Sequence, residues 1–174
     1  TLERWVRKGG GFWVIGGPNT LGSRQWAAST FNRWLPVQMA TTDRPGWTDQ
    51  HVKAQRTTLG IEHLVTHVGA NKQDDERLWG ALDIEGYNTK LTSRSSASVL
   101  VQSSTSKPLL TVADHGKGRV AVWATDSLWT WAFPQEHTET STGQQGAYQR
   151  FVERLRGWLL QEPEYQALRI QTSN

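Results

Sequence analysis

Apolar residues recur at helical spacing at the start of the chain, at Leu2, Trp5 and Val6, and predict a helix. The glycines at 9–11 predict the end of that helix, because glycine readily adopts the conformation of a helix C-terminus. The continuous apolar run Phe12–Ile15 that follows is typical of a strand buried on both faces in a parallel sheet. A helix followed by such a strand forms the second half of a βαβ unit. We therefore expect a further strand upstream and interpret the chain as a piece of a longer protein.

The second half of the chain carries clearer strand and helix patterns. Apolar and β-branched segments predict strands at Ala97–Val101, Pro108–Ala113 and Arg119–Ala124. A tight glycine-bearing turn at Asp114–Gly118 joins the last two, so they should pair as an antiparallel hairpin. The segment Ala147–Leu160 has an apolar stripe at helical spacing and predicts the clearest helix of the chain.

The remaining segments give weaker patterns and complete the predicted architecture. Short helices are expected at 26–34, 62–68 and 74–82, a connection or irregular strand at 41–58, a polar loop at 133–146 and a final strand at 168–172. Together these elements predict one three-layer α/β domain over residues 1–174, with a mainly parallel sheet and an antiparallel hairpin near Gly116.

Composition excludes several classes of function. The 174 residues carry a net charge of +3 and no long run of lysine and arginine, so charge does not support nucleic-acid binding. The chain has no cysteine, which excludes disulfides, thiolate metal sites and a cysteine nucleophile within it. No apolar stretch approaches the roughly 20 residues that span a bilayer, and no signal peptide is visible.

Several short motifs follow one another along the chain in a distinctive order. The most specific stretch is Gly116–Trp131, which contains Gly-Lys-Gly-Arg-Val and Thr-Asp-Ser-Leu-Trp-Thr-Trp. The other segments are Gly9–Thr20, Leu35–Val37, Ile61–His63, Leu78–Trp79, Pro108–Leu110 and Tyr148–Leu160. This order resembles the class I glutamine amidotransferase-like domains of large bacterial membrane proteins, which often also carry a von Willebrand factor type A domain. The resemblance covers most of the chain.

The resemblance implies a flavodoxin-like three-layer sandwich, present here as a truncated copy. In catalytic members of the wider family a cysteine lies on a sharp turn after one strand, and a histidine is presented from a later strand end. The turn Ile15–Pro18 stands where the cysteine would be expected, and Thr125–Ser127 stands where the histidine would be expected. A glutaminase needs a thiolate activated by an imidazole. We therefore interpret the chain as a catalytically inactive binding or scaffolding domain of a bacterial cell-envelope protein.

An enzyme is the alternative interpretation. It would be a hydrolase or transferase with a non-cysteine nucleophile, such as Ser127, in the same strand-end cleft. His115, together with Ser127 or Ser103 and Asp126, would supply a Ser–His–Asp arrangement, although no Gly-x-Ser-x-Gly motif exposes a nucleophile.

A ligand is expected at the carboxyl ends of the strands Phe12–Ile15 and Arg119–Ala124, because open α/β sheets bind ligands in that crevice. Backbone N–H groups of the glycine turn could bind an anion there. Structural alternatives stay open: the glycines could simply permit a tight turn, and Asp126 could cap the turn that follows it. The candidate ligand-binding residues are Gly16, Gly17, Asn19, Thr125, Asp126 and Trp129.

The histidine spacing is a weak metal signal. His63 and His67 would lie on one face of a helix, as a zinc site needs, but no third ligand stands nearby, and we predict neither a metal nor another cofactor. Expected partners are other domains of the parent chain or envelope proteins, with the membrane reached only through the rest of the parent chain and no nucleic acid. Exposed members of the ten tryptophans would then form interdomain contacts. The expected location is the bacterial cell envelope, periplasmic or membrane-associated, with the cytoplasmic side also open.

Overall fold

The computed structural model describes residues 1–40, 46–133 and 139–165. The helices are α1 (Leu2–Arg7), α2 (Arg24–Ala28), α3 (Phe31–Trp34), α4 (Thr58–Glu62), α5 (Lys72–Ala81), α6 (Trp129–Ala132) and α7 (Glu139–Leu159). The strands are β1 (Gly11–Ile15), β2 (Val37–Met39), β3 (Trp47–Thr48), β4 (Val52–Arg56), β5 (Asp83–Ile84), β6 (Tyr87–Asn88), β7 (Leu91–Ser93), β8 (Ser98–Ser103), β9 (Pro108–His115) and β10 (Gly118–Trp123). Short 3₁₀ turns lie at Leu64–Thr66 and Pro163–Tyr165.

Six strands form one curled mixed sheet in the order β1-β10-β9-β8-β4-β5. β1 and β10 are parallel, whereas the other neighbouring pairs are antiparallel. The predicted mainly parallel, flavodoxin-like three-layer sandwich is therefore wrong. The connections explain the difference: only residues 104–107 separate β8 from β9, and only 116–117 separate β9 from β10. A parallel pair needs a crossover of about a dozen residues or more, so these connections can join only antiparallel strands.

The hairpin predicted near Gly116 is present within this sheet. β9 and β10 pair from Gly118 opposite His115 to Trp123 opposite Leu110. Gly116 has a φ of +64°, a left-handed conformation that side chains with a Cβ disfavour. The turn therefore requires a glycine at position 116.

The strand at Phe12–Ile15 exists as part of β1, but it lies at the edge of the described sheet and not in its interior. Phe12 and Val14 pack on one face, and Trp13 packs on the other. The run is apolar because both faces are covered, yet Ile15 keeps 44% of its surface exposed. Both faces of the strand are therefore covered, but less deeply than in the interior of a sheet, since Val14 is the one residue of Phe12–Ile15 that is buried.

Separate hydrophobic clusters cover the two faces of the sheet, and β10 contributes to both. Val120 and Val122 belong to one cluster, whereas Ala121 and Trp123 belong to the other, because side chains alternate between the faces of a strand. The first cluster also includes residues of α1, α2, α3 and β2. The second packs α5, α6 and α7 around the contacting rings of Trp79, Trp123, Trp131 and Phe151. Both faces are therefore packed along the strand that leads to the candidate site.

The C-terminal helix is longer than the pattern predicts. α7 begins at Glu139, so the polar loop expected at 133–146 is wrong for residues 139–146. Residues 134–138, and the final strand expected at 168–172, lie outside the described residues. The first turns of α7 read Glu-Thr-Ser-Thr-Gly-Gln-Gln-Gly and carry no apolar stripe, so periodicity cannot identify them as helical.

Three earlier segments also differ from expectation. Residues 26–34 divide into α2 and α3 at Ser29, whose hydroxyl donates to Trp26 O at 2.6 Å. Residues 62–68 form the end of α4 and a 3₁₀ turn, not one helix. Residues 46–58 contain β3 and β4, and 41–45 lie outside the described residues. The positions of β4 alternate between buried and exposed, as is typical of a strand. The helix expected at 74–82 is present as α5.

Within the described ranges, no helix combines the length and apolar character needed to cross a bilayer.

Candidate functional site

The carboxyl ends of β1 and β10 lie side by side. Ile15 pairs with Trp123 in parallel register, and Gly16 N donates to Trp123 O at 2.6 Å. A Cβ on Gly16 would stand 2.5 Å from Asn88 Oδ1 and 2.6 Å from the carbonyl carbon of Ala124. Only glycine fits at this position, so the sequence Gly16–Gly17 is what lets the turn after β1 cross the end of β10.

A residue that the sequence did not single out, Asn88, holds this turn. Its side chain is fully buried, and its Oδ1 accepts from Gly17 N at 3.1 Å. Its Nδ2 donates to Gly17 O at 3.1 Å and also to Leu21 O. Its backbone N–H donates to Ala124 O at 2.7 Å, which ties β6 to the end of β10. Asn88 lies on a two-residue strand with no motif around it, so no sequence signal identifies it.

These bonds decide what the glycine turn can bind. The N–H of Gly16 is taken by Trp123 O, and the N–H of Gly17 is taken by Asn88 Oδ1. Pro18 has no N–H to offer. The proposed role of this turn as an anion-binding nest is therefore not supported, and the two glycines serve the close packing of the turn.

Thr125 and Ser127 are buried and fasten the end of β10 to residues 85–86. Thr125 Oγ1 donates to Gly86 O and accepts from Ser127 N at 3.1 Å. Ser127 Oγ accepts from Glu85 N at 3.1 Å and lies 3.0 Å from Thr125 Oγ1. Ser127 is only 1% exposed, and these hydrogen bonds hold its hydroxyl. The hydroxyl therefore has a structural role and is not accessible as a nucleophile.

Asp126 differs from its two neighbours because its side chain is exposed. The turn that follows is closed by Thr125 Oγ1, which accepts from Ser127 N, so the alternative role of Asp126 as the cap of this turn is not supported. Its Oδ2 lies 3.9 Å from the position that a Cβ on Gly17 would take. Asp126 therefore places a solvent-facing carboxylate directly beside the glycine turn, and Asn19 is exposed in the same loop.

Trp129 lies on α6 and is 42% exposed. It lines a shallow cavity of 220 Å³ whose wall includes two acidic side chains, Asp83 and Glu85. Its remaining lining residues are Ala81, Thr130, Phe133 and Gln144. Gly16, Gly17 and Asp126 do not line it. The six predicted site residues thus separate into a buried framework (Gly16, Gly17 and Thr125) and an exposed surface (Asn19, Asp126 and Trp129).

The histidines do not join this site. His63 and His67 do not share a helix, because they flank the 3₁₀ turn Leu64–Thr66, and His67 Nε2 lies 2.9 Å from Ile61 O. No group of three metal-ligating side chains occurs among the described residues. His115 pairs with Gly118 at the opposite end of β10 from Ser127, with its Nε2 3.4 Å from Glu3 Oε1. Ser103 lies on a different strand, β8, and its Oγ is 2.9 Å from Thr105 Oγ1. No Ser–His–Asp arrangement is therefore assembled among these residues.

Sequence and structure comparisons identify the family and the fold. A family model described as "Putative glutamine amidotransferase" (GATase1_like) matches residues 1–159. No curated protein matches the chain. Among solved structures, "Cytoplasmic Protein STM1381" from Salmonella typhimurium LT2 is similar, with a TM-score of 0.64 and 22% identity over 89% of this chain and 58% of that one.

A second cytoplasmic protein of Salmonella typhimurium, STM3548, matches with a TM-score of 0.62 and 20% identity over 89% of this chain and 57% of its own. At these identities the likeness concerns the fold. The chain spans less than two thirds of the length of both structures, 58% and 57%.

Proposed function

The chain belongs to the glutamine amidotransferase-like family, and on that premise we propose that it is a catalytically inactive member that binds a ligand or partner at the surface around Asp126. The observation that supports this proposal is the composition of the two adjoining strand ends. β1 and β10 meet as the family resemblance implies, but the turn after β1 carries Gly16–Pro18 in place of a thiol, and β10 leads into Thr125–Ser127 in place of an imidazole.

The alternative enzyme with a serine nucleophile finds less support at this position. Ser127 is buried and bonded to Thr125 and Glu85, and no histidine among the described residues stands within hydrogen-bond distance of it. A serine nucleophile needs an adjacent base to activate it. The geometry therefore favours a binding role over a hydrolytic one.

The charge of the exposed surface indicates the kind of partner it would bind. Asp126 and Glu85 are exposed carboxylates, and Trp129 offers a half-exposed indole. Exposed carboxylates attract cationic groups through their charge, and Glu85 lines the same cavity as Trp129, whose ring face can also attract a cation. We therefore expect a basic segment of another domain of the parent chain or of an envelope protein as the partner, in keeping with a scaffolding domain of the cell envelope.

Incubation with L-glutamine tests the inactive assignment directly. Ammonia release should not exceed that of a protein-free blank, because a glutaminase requires an activated thiolate and the chain contains no cysteine. A known glutaminase added to the same sample should restore ammonia release and show that the assay works. Turnover by the protein alone would contradict the proposal.

Replacement of Asp126 by asparagine tests the binding role. Trilysine should bind the wild-type protein in a calorimetric titration, and Asp126→Asn should weaken this binding about three- to fivefold, because one exposed charge pair contributes up to about 1 kcal/mol. Stability in urea should stay within about 0.5 kcal/mol of wild type, as for most surface substitutions.

The matched control is Glu153→Gln, which removes the same charge from an exposed position on α7. Trilysine binding that weakens equally in both variants would show that only net charge matters. That outcome, or unchanged binding in Asp126→Asn, would exclude a site at Asp126.

A further inference from the structure

A second and larger cavity lies at the opposite end of β10 from Asp126. It has a volume of 340 Å³ and opens between the start of β8, the second half of β9, the first residues of β10 and the end of α7. Ser98 pairs with Val112 and Asp114 pairs with Arg119, which places polar side chains of three adjacent strands along one wall. His63 and Glu62 lie on the second wall, and Trp158 and Tyr165 lie on the third. Cavities of this size that gather several polar groups are the usual ligand sites of proteins.

Arg119 gives this cavity a fixed positive charge. Its side chain is only 6% exposed, and its Nη1 donates to Trp158 O at 2.6 Å. Its guanidinium lies 4.9 Å from the centroid of the Trp158 ring, and its Nε stands 3.6 Å from Asp114 Oδ1. The arginine is therefore held in place before any ligand arrives and cannot lose its charge.

His63 presents a neutral hydrogen-bond donor beside this charge. Its Nδ1 accepts from Val65 N at 3.3 Å, so the neutral ring carries its proton on Nε2. Burial, the nearby Arg119 charge and His67 lower the pKa of His63 to about 4. The edge of the ring packs against Trp158, with the ring centroids 5.7 Å apart. The imidazole is thus fixed in orientation and uncharged near neutral pH.

The combination of groups selects the charge of the ligand. Asp114 and Glu62 already face cations, since Arg119 Nε lies 3.6 Å from Asp114 Oδ1 and Lys72 Nζ lies 3.6 Å from Glu62 Oε1, so the charges around the cavity are balanced and favour neither an anion nor a cation. What remains favourable is a neutral molecule that both donates and accepts hydrogen bonds. The carboxylates accept, His63 Nε2–H donates, and the hydroxyls of Ser96 and Ser98 do both. The apolar part of the wall, with Trp158, Tyr165 and Val112, suits the C–H face of a sugar ring.

We propose that this cavity is a binding site for a neutral monosaccharide, held between the Arg119–Asp114 pair, His63 and Ser98. The site is independent of the proposed binding surface at Asp126, because the two lie at opposite ends of β10. Either one can therefore fail without the other.

The experiment uses saturation-transfer NMR and calorimetry with D-glucose, D-galactose, D-mannose and N-acetyl-D-glucosamine, each at up to about 20 mM, a range suited to weak complexes. At least one sugar should bind, with equal affinity at pH 5.5 and pH 8 because His63 stays neutral over that range. Sodium acetate and ethanolammonium chloride at the same concentration should not compete. No binding by any of the four sugars, or competition by acetate or ethanolammonium, would overturn the proposal.

Two variants locate the binding. His63→Asn keeps a side-chain acceptor for Val65 N but loses the Nε2 donor, and should weaken sugar binding about fivefold, the usual effect of one net hydrogen bond. Ser98→Leu narrows the cavity and should abolish binding at these concentrations. The control Ser95→Leu adds the same apolar side chain at an exposed position that does not line the cavity, and should bind sugar as wild type does. Each variant is checked for its folded near-UV spectrum, and if His63→Asn does not fold, Ser98→Leu decides alone. Binding that survives in Ser98→Leu would place the sugar elsewhere and overturn the proposal.

Discussion

Replacement of Asn88 by alanine should lower the free energy of unfolding by about 3 kcal/mol, because it leaves buried backbone groups without partners at a cost of about 1–3 kcal/mol each. The groups concerned are the N–H of Gly17 and the carbonyl of Leu21, which Asn88 binds through Oδ1 and Nδ2. The carbonyl of Gly17 is less affected, since Thr20 N also donates to it at 3.3 Å. Urea unfolding followed by tryptophan fluorescence measures the loss.

A matched control distinguishes the loss of these Asn88 hydrogen bonds from a general effect of removing an amide side chain. Asn19→Ala changes an exposed asparagine in the loop that follows the same turn, and should change stability by no more than about 0.5 kcal/mol. If Asn88→Ala lost less than about 1 kcal/mol, the side chain would not be what holds Gly16–Gly17 against the end of β10.

The parts of the fold that sequence could predict are those set by neighbouring residues. The helix α1, the strand β1, the β9–β10 hairpin and the last half of α7 follow from spacing, glycine position and apolar periodicity. The parallel or antiparallel direction of the strands does not follow from such local patterns, because it depends on which strands become neighbours in the sheet. The sequence pattern did not distinguish β4 from a polar connection. The pairing of β4 with β8 is what makes that side of the sheet antiparallel.

The candidate site divides in the same way. The sequence predicted that Gly16 and Thr125 lie close together, because both follow the carboxyl ends of strands in one α/β sheet, and β1 and β10 do pair in parallel. The roles of individual residues were not. Whether Asp126 or Thr125 closes the turn depends on side-chain rotamers, and the occupation of the Gly17 N–H depends on Asn88, which is 71 residues away in sequence.

The surroundings of His63 in the cavity with Arg119 could not be predicted from the sequence for a different reason. His63 drew attention as a partner of His67, whereas in the structure its significant neighbours are Arg119 and Trp158, which come from β10 and α7. A spacing of four residues is informative only if the segment is one helix. The end of α4 at Glu62 removes that condition and turns the His63 ring toward the sheet and α7.

The partly buried position of His63 beside Arg119 should make the protein acid-sensitive. In the unfolded chain this imidazole has its ordinary pKa of 6.5, whereas burial and Arg119 lower the pKa of His63 to about 4 in the folded protein. Between these values the unfolded chain binds a proton that the folded protein does not, so stability falls as pH falls from 6.5 toward 4. The loss due to this one group should reach on the order of 3 kcal/mol, since each unit of difference is worth about 1.4 kcal/mol.

Urea unfolding at pH 7, 5.5 and 4 measures this contribution as a difference between proteins. Carboxyl groups also titrate near the acid end, so the informative quantity is wild type minus His63→Asn, a variant that keeps the acceptor for Val65 N and has no ionisable ring. That variant should lose markedly less stability between pH 7 and pH 4 than wild type does. The control His51→Asn removes an exposed imidazole near Asp83 and should keep the acid sensitivity of wild type. If the His63 and His51 variants responded alike, burial beside Arg119 would not be the cause.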